Sequence, residues 1–253
     1  MVIGCKKLFL TVLIMSIFVS TSHGKVVIFD RATTVLMPIH ITVQTRDGFF
    51  VSGGQLVDIY LDSTFIKKIL TGGDGYGYLK YIPREPGLKK ITARMNAESA
   101  SGRILVVKQN ERVVLIETEG AFKDSVFSDE ARRRSQEAVK SISKKYRIIY
   151  LSRLLGAGIT ESWLEKYAFP ESVILRWDGP NILDKLKKNG LQLLAIIGSP
   201  NVISAAADKI ERRFSFEKTK DGKTVKNWEE ILDFLLKSPS SDLEKKKIPA
   251  RGE

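Results

Sequence analysis

Two glutamates separated by one residue follow a run of apolar residues in the segment VVLIETEGAF, residues 113–122. A continuous apolar run is typical of a strand that is buried on both faces, and Glu117 and Glu119 stand at its carboxyl end. Carboxylates in such a place are suited to nucleophilic attack, proton transfer or metal binding. The spacing therefore predicts a working acid pair or the relic of one. A solvated loop that merely ends the strand is the alternative.

The beginning of the chain predicts export. Two lysines precede the apolar run LFLTVLIMSIFV, residues 8–19, and the small residues Ser22 and Gly24 follow it. This order is typical of a secretory signal peptide, so residues 1–24 are predicted to be the signal peptide of a periplasmic or extracellular protein. An uncleaved membrane anchor is the alternative, although the run is short for a membrane span.

Removal of the signal peptide leaves no cysteine and a single histidine, His40. Disulfides, thiolate nucleophiles and Cys/His zinc sites are thereby excluded from the rest of the chain. A Ser-His-Asp triad would have to be built around His40, which lies in the alternating segment PIHITVQT and is interpreted as a structural strand residue. The chemistry must rest on carboxylates, lysines, hydroxyls and backbone amides.

The formal net charge of +12 favours anionic partners, here a phosphate-bearing small molecule or lipid. The basic residues are spread along the chain and do not alternate with aromatic residues, so no nucleic-acid partner is expected. A basic surface kept for solubility is the alternative.

Residues 25–110 are predicted to form a β-sandwich. Short runs with alternating apolar residues are separated by the turn signals RDG, SGG, GGDG and REPG, a rhythm typical of sandwich domains. The segment GDGYGYLKYIPREPGLKKITARMNAESASGRILVV resembles the last strands of bacterial immunoglobulin-like domains.

Residues 111–237 are predicted to form an α/β domain, because apolar strands alternate with helices from Glu111 onward. One helix is predicted to be capped by Ser128, another to start at Pro180, and the last to be capped by Asn227. The carboxyl ends of parallel strands share one edge of the sheet, where ligands bind. Residues 238–253 are predicted to be a disordered basic tail. The predicted strands are RVVLIE, YRIIYLS, SVILR, LQLLAII and RRFSF.

The order of motifs in this second domain resembles the haloacid dehalogenase-like (HAD-like) phosphatases. An apolar strand leads to acid–x–acid–glycine, a second strand ends in serine, a lysine-bearing helix follows, and GSPN ends a further strand. The segment ITESWLEKYAFPESVILR is similar to the lipin-like phosphatidate phosphatase branch. The resemblance implies a three-layer α/β fold with a parallel sheet and a Mg²⁺-dependent phosphoester hydrolase.

The resemblance implies catalytic roles that this sequence fills only in degenerate form. Glu117 stands at the position of the aspartate nucleophile and Glu119 at that of the acid/base aspartate. Both are the candidate Mg²⁺ ligands. Because glutamate adds one methylene, its carboxylate is displaced by roughly 1–1.5 Å, and a shift of about 1 Å can cost on the order of a hundredfold in rate. The place of the acidic fourth motif holds GSPN, and Asp208 lies too far along the chain to replace the missing acid.

The same resemblance implies a set of phosphate-binding residues. Lys185 matches the phosphate lysine, with Lys188 as its rival, and Ser152 matches the second-motif hydroxyl. The remaining candidates belong to the segment that replaces the fourth motif: Gly198, Ser199 and Asn201.

These observations predict an exported pseudo-phosphatase that binds or scaffolds a phosphate-bearing ligand or a cell-envelope partner. Two alternatives stay open. The first is an active Mg²⁺-dependent phosphatase acting on a phospholipid or a small phosphoester. The second is an adhesion or envelope module that works through the immunoglobulin-like domain.

Overall fold

The computed structural model describes residues 24–124 and 128–237. These residues form two compact units, one made of residues 24–28, 42–79 and 91–101 and the other of residues 29–41, 80–90 and 102–237. The predicted tail, and the predicted signal peptide apart from Gly24, lie outside the described residues.

The β-rich part of the chain contains two sheets. The four-stranded sheet consists of β1 (Gly24–Ile28), β3 (Ile39–Asp47), β4 (Phe50–Val51) and β7 (Tyr76–Tyr81), with β3 pairing to the other three. The five-stranded sheet has the order β2-β9-β8-β5-β6. Its strands are β2 (Arg31–Thr34), β5 (Leu56–Leu61), β6 (Thr64–Leu70), β8 (Gly87–Met95) and β9 (Glu98–Val107).

The two sheets pack face to face within the first unit. A Cβ atom placed on Gly77 of β7 would lie 3.1 Å from Ile69 of β6, and one placed on Gly24 of β1 would lie 3.0 Å from Met95 of β8. The facing side chains are apolar and buried, among them Val43, Val57, Ile59 and Ile91. The predicted β-sandwich is confirmed by this strand arrangement.

The second unit contains a six-stranded parallel sheet with the order β12-β11-β10-β13-β14-β15. The strands are β10 (Arg112–Glu117), β11 (Arg147–Ser152), β12 (Ile174–Arg176), β13 (Gln192–Ile197), β14 (Arg212–Ser215) and β15 (Lys223–Thr224). The helices are α1 (Thr118–Phe122), α2 (Ser135–Ser143), α3 (Ala157–Lys166), α4 (Asn181–Lys188), α5 (Pro200–Ala205) and α6 (Trp228–Leu232), the last followed by a π-helical turn, Asp233–Lys237.

Helices cover both faces of this sheet, so the unit has three layers. One core joins alternate residues of β10 and β11 to α2, α3 and α6, through side chains such as Val139, Trp163 and Trp228. The other core joins the opposite strand faces to α4 and α5, through Leu183, Val202 and Ile203. The predicted parallel α/β domain is therefore present, because strands such as β10 carry apolar residues toward both cores.

Two local predictions have different outcomes. The helix expected from Ser128 begins at Ser135 instead, because Arg134 adopts a left-handed conformation with φ of 61° directly before it. The predicted cap of the last helix is confirmed, since Asn227 Oδ1 accepts a hydrogen bond from the Glu230 amide at 3.0 Å.

The predicted domain boundary at residue 110 falls in the loop between β9 and β10. The compact units follow a different division, because residues 29–41, 80–90 and 102–107 group with the α/β part.

Candidate functional site

The candidate site lies where the strand order of the parallel sheet reverses. The first strand of the sheet in the chain, β10, lies between β11 and β13, and Glu117 at its end pairs with Leu151 of β11. Ile116 pairs with Ile197, the last residue of β13. In doubly wound sheets this reversal opens a crevice at the carboxyl ends of the strands, where ligands bind.

Glu117 is fully buried at this edge. Its Oε2 atom accepts a hydrogen bond from the Ser199 amide at 2.7 Å, which ties the tip of β10 to the loop after β13. Its Oε1 atom lies 3.5 Å from Nε of Arg153, and within the described residues it has no hydrogen-bond partner.

Two glycines permit this close approach of the strand tips. A Cβ atom on Gly120 would lie 2.3 Å from the Ser199 nitrogen and 2.5 Å from Oε2 of Glu117, and one on Gly198 would lie 3.0 Å from Cβ of Glu117. A side chain at Gly120 would displace the Glu117 carboxylate from the amide it binds, so only glycine fits at this position.

Glu119 is also buried, but its carboxylate is surrounded by donors. The amides of Arg153, Leu154 and Leu155 lie 3.1, 2.9 and 3.2 Å from its Oε1 atom. The Thr118 hydroxyl donates to Oε2 at 3.0 Å, and the Ser152 hydroxyl lies 3.4 Å from Oε1. Glu119 therefore fixes the loop that follows β11.

Ser152 is held from its other side by Thr160 of α3. The Thr160 hydroxyl donates to Oγ of Ser152 at 2.9 Å, and both residues are buried. The hydroxyl that the resemblance assigns to phosphate thus belongs to a network running from α3 to Glu119.

The two carboxyl groups differ in their acidity. Burial raises the pKa of the Glu117 carboxyl above its ordinary value, and the Ser199 amide opposes this only in part. Burial also acts to raise the pKa of Glu119, but the backbone amides of residues 153–155 outweigh it, so that pKa is lowered. Hydrogen bonds to the charged form favour ionisation. Glu119 is consequently the more acidic of the pair.

Three buried polar atoms around Glu117 have no hydrogen-bond partner among the described residues. They are Oε1 of Glu117, Nε of Arg153 and Oγ of Ser199. Buried polar atoms are nearly always hydrogen-bonded in folded proteins, and exceptions often mark water or ligand sites.

The remaining predicted residues lie apart from this network. Lys185 is in an ion pair with Asp178 at 3.8 Å, and its side chain is 65% exposed. Asn201 is exposed at the start of α5. Among the described contacts, neither residue touches Glu117, Glu119 or Ser152, so their assignment to phosphate stays a prediction.

The residues at this site do not fit Mg²⁺, because the ion needs free oxygen ligands. Both oxygens of Glu119 and Oε2 of Glu117 already accept hydrogen bonds, and Oε1 of Glu117 faces the guanidinium of Arg153. A cation would displace donors and lie beside a positive charge. Over residues 24–124 and 128–237, no group of three or more His, Cys, Asp and Glu is placed to hold a metal.

Sequence reasoning missed two contributors to the site, Arg153 and Thr160. Arg153 directly follows Ser152 at a predicted strand end, and this position could have identified it as a site residue. Thr160 carries no signal, because its contact with Ser152 depends on how α3 docks.

The chain is similar to known proteins only among solved structures. No protein-family description and no curated protein matches the chain. A domain described as IG27 covers 34% of this chain and 95% of its own, with 10% identity and a TM-score of 0.29. The CARDB domain of a Pyrococcus furiosus protein in complex with di-metal ions covers 33% and 85%, with 18% identity and a TM-score of 0.26.

Fibronectin(III)-like modules of Clostridium thermocellum CbhA cover 33% of this chain and 97% of their own, with 17% identity and a TM-score of 0.25. At such TM-scores these likenesses carry no argument, and the description of the β-sandwich rests on strand pairing. Within the described residues, no helix is long and apolar enough to cross a bilayer.

Proposed function

We propose that the α/β unit is a HAD-like module that binds a phosphate-bearing ligand without hydrolysing it. The strand order, with the acid–x–acid–glycine segment at the reversal point, supports the HAD-like assignment. The fold by itself does not imply catalysis, so the function has to be argued from the side chains at the strand tips.

The loss of hydrolysis follows from the state of Glu119. A general acid must reach the leaving group of the substrate, but this carboxylate is enclosed by the amides of residues 153–155 and two hydroxyls. Its lowered pKa also makes it a poor proton donor near neutral pH. Glu119 therefore acts as an anchor for the loop.

Binding is supported by one observation, the three buried atoms around Glu117 that have no hydrogen-bond partner within the described residues. Arg153 supplies a guanidinium, Ser199 supplies a hydroxyl, and Glu117 in its neutral form supplies an O–H from Oε1 while Oε2 accepts from the Ser199 amide. Arginine and hydroxyl donors suit a tetrahedral oxyanion. The raised pKa of Glu117 favours the neutral form that such an anion requires.

Titration of the full chain with sulfate tests this proposal. Sulfate carries the geometry of phosphate but does not titrate near neutral pH, so any pH dependence belongs to the protein. We expect calorimetry to detect sulfate binding that Arg153→Gln and Ser199→Ala each weaken at least several-fold. Binding is expected to strengthen as the pH falls and Glu117 becomes protonated.

Arg147→Gln is the matched control. Arg147 lies at the start of β11 and pairs with Glu111 at 2.8 Å, whereas Arg153 follows the end of the same strand. The proposal fails if sulfate does not bind, or if Arg147→Gln weakens binding as much as Arg153→Gln does.

A further inference from the structure

An exposed aromatic tip lies at one end of the sandwich. Phe49 is fully exposed and Phe50 is 80% exposed, and Val51 beside them is 51% exposed. Phe49 lies in the two-residue turn between β3 and β4, and Phe50 and Val51 form β4, where Phe50 pairs with Asp47. We call Phe49, Phe50 and Val51 the aromatic tip.

The turn itself does not call for these residues. Tight hairpins favour glycine, asparagine and aspartate for conformational reasons, and Gly48, with φ of 59°, meets that need here. Single exposed apolar residues are common, but adjacent, almost fully exposed phenylalanines at a protruding turn are typical of an interaction surface. The tip therefore needs a partner with an apolar interior.

The position of the N-terminal segment points to the kind of partner. Gly24 pairs with Asp47, and Asp47 pairs with Phe50, so the three residues form one row across β1, β3 and β4. With strands about 4.8 Å apart, the Cα atoms of Gly24 and Phe50 are roughly 10 Å apart. The aromatic tip thus lies where the chain enters β1.

The apolar run of residues 8–19 precedes Gly24 by a short segment. Even when fully extended, the chain from Val19 to Gly24 spans at most about 18 Å. As an uncleaved anchor, the alternative to a signal peptide, this run lies in a membrane while attached to the folded sandwich. A bilayer that holds residues 8–19 therefore comes within reach of the aromatic tip.

Basic residues next to the tip suit the same partner. Lys25 of β1 pairs with Arg46 of β3 in the row next to that of Gly24 and Asp47, and both basic residues are exposed. Basic side chains beside an apolar insertion are attracted to anionic headgroups. We infer that the aromatic tip inserts into the headgroup region of an anionic phospholipid bilayer. This inference is independent of the ligand proposed for the α/β unit.

Tryptophan reporters in the full chain test the inference. Phe49→Trp and Phe50→Trp are each reconstituted into vesicles of phosphatidylcholine and phosphatidylglycerol, with and without brominated acyl chains. The native Trp163, Trp177 and Trp228 are at most 9% exposed and give a constant background. We expect a blue-shifted reporter emission and a loss of that emission with brominated lipid.

Phe65→Trp is the matched control, because Phe65 is 53% exposed on β6, in the other sheet. Its emission is expected to be the same with either lipid. The inference is overturned if the tip reporters keep a water-exposed emission without quenching, or if Phe65→Trp is quenched to the same extent. Unchanged emission from the buried native tryptophans verifies that each variant is folded.

Discussion

At the scale of single residues, Glu117 and Glu119 differ in the number of donors they bind. Glu119 accepts hydrogen bonds from three consecutive backbone amides, whereas Glu117 accepts from one. Two residues of one type, one ending β10 and the other in the first turn of α1, thereby acquire opposite shifts in pKa. The environment rather than the residue type separates their roles.

The first residue-scale prediction concerns Glu119→Gln. The amide group of glutamine lacks the charge and presents one N–H₂ to a nest of donors, so some backbone amides lose their partner. Hydrogen bonds to a charged group contribute about 1.5–3 kcal/mol each, and we expect the free energy of unfolding to fall by about 3 kcal/mol. Urea unfolding measures it, with the exposed Glu211→Gln as control. A change no larger than that of the control would contradict the anchoring role.

The second residue-scale prediction concerns the pH dependence of stability. Because the pKa of Glu117 is raised above 4.5 in the folded state, the unfolded state ionises first as the pH rises, and stability falls through this window. Glu117→Gln removes this loss, so the stability of the variant relative to the wild type should rise as the pH rises above 4.5. Urea midpoints over a pH series measure the difference.

Glu119 is expected to change stability with pH in the opposite direction over the same pH series. Its pKa is lowered below 4.5, so its contribution is present above that value and is lost as the pH falls through the folded-state pKa. A stability difference between Glu117→Gln and the wild type that does not change with pH would show that folding does not raise the pKa of Glu117.

At the scale of elements, the strand tips are held together by contacts that leave no room for a side chain at Gly120. Gly120→Ala places a Cβ atom 2.3 Å from the Ser199 amide, and overpacking of this kind costs about 1–3 kcal/mol. We expect this loss in chemical unfolding, together with weaker sulfate binding. Gly158→Ala is the control, because a Cβ atom there meets nothing within 4 Å in helix α3. Equal effects of both substitutions would contradict the close approach.

The element scale also shows what the sequence can predict. The apolar runs identify β10, β11 and β13 because a strand buried on both faces carries continuous hydrophobicity. The cap at Asn227 follows from a local hydrogen bond. The N-cap of α2 is Arg134, six residues after the predicted Ser128, and its left-handed conformation has no local signature in the sequence.

The site was predictable only in part, for the same physical reason. Glu117, Glu119, Ser152 and Ser199 could be identified because they end strands that share one edge of the sheet. Their partners could not, since the amides of residues 153–155 present no side chain to recognise and Thr160 reaches Ser152 through the docking of α3. The local sequence pattern therefore predicts where site residues lie in the fold, whereas their hydrogen-bond partners depend on tertiary packing.

At the scale of the whole molecule, a chain with a net charge of +12 keeps buried carboxylates at its candidate site. The overall field favours anionic ligands, and in the proposed site the neutral form of Glu117 would let such a ligand approach Arg153. An anionic bilayer at the aromatic tip and a phosphate-bearing ligand at the strand tips both match the sign of this charge.

The central claim, binding without hydrolysis, is tested most directly by ³¹P NMR of p-nitrophenyl phosphate mixed with the full chain and Mg²⁺. One spectrum reports both events, because binding broadens the ester resonance and hydrolysis produces the separate resonance of inorganic phosphate. We predict a broadened ester resonance that Arg153→Gln sharpens, with no growth of inorganic phosphate over time. Accumulation of inorganic phosphate that Glu117→Gln abolishes would contradict the account.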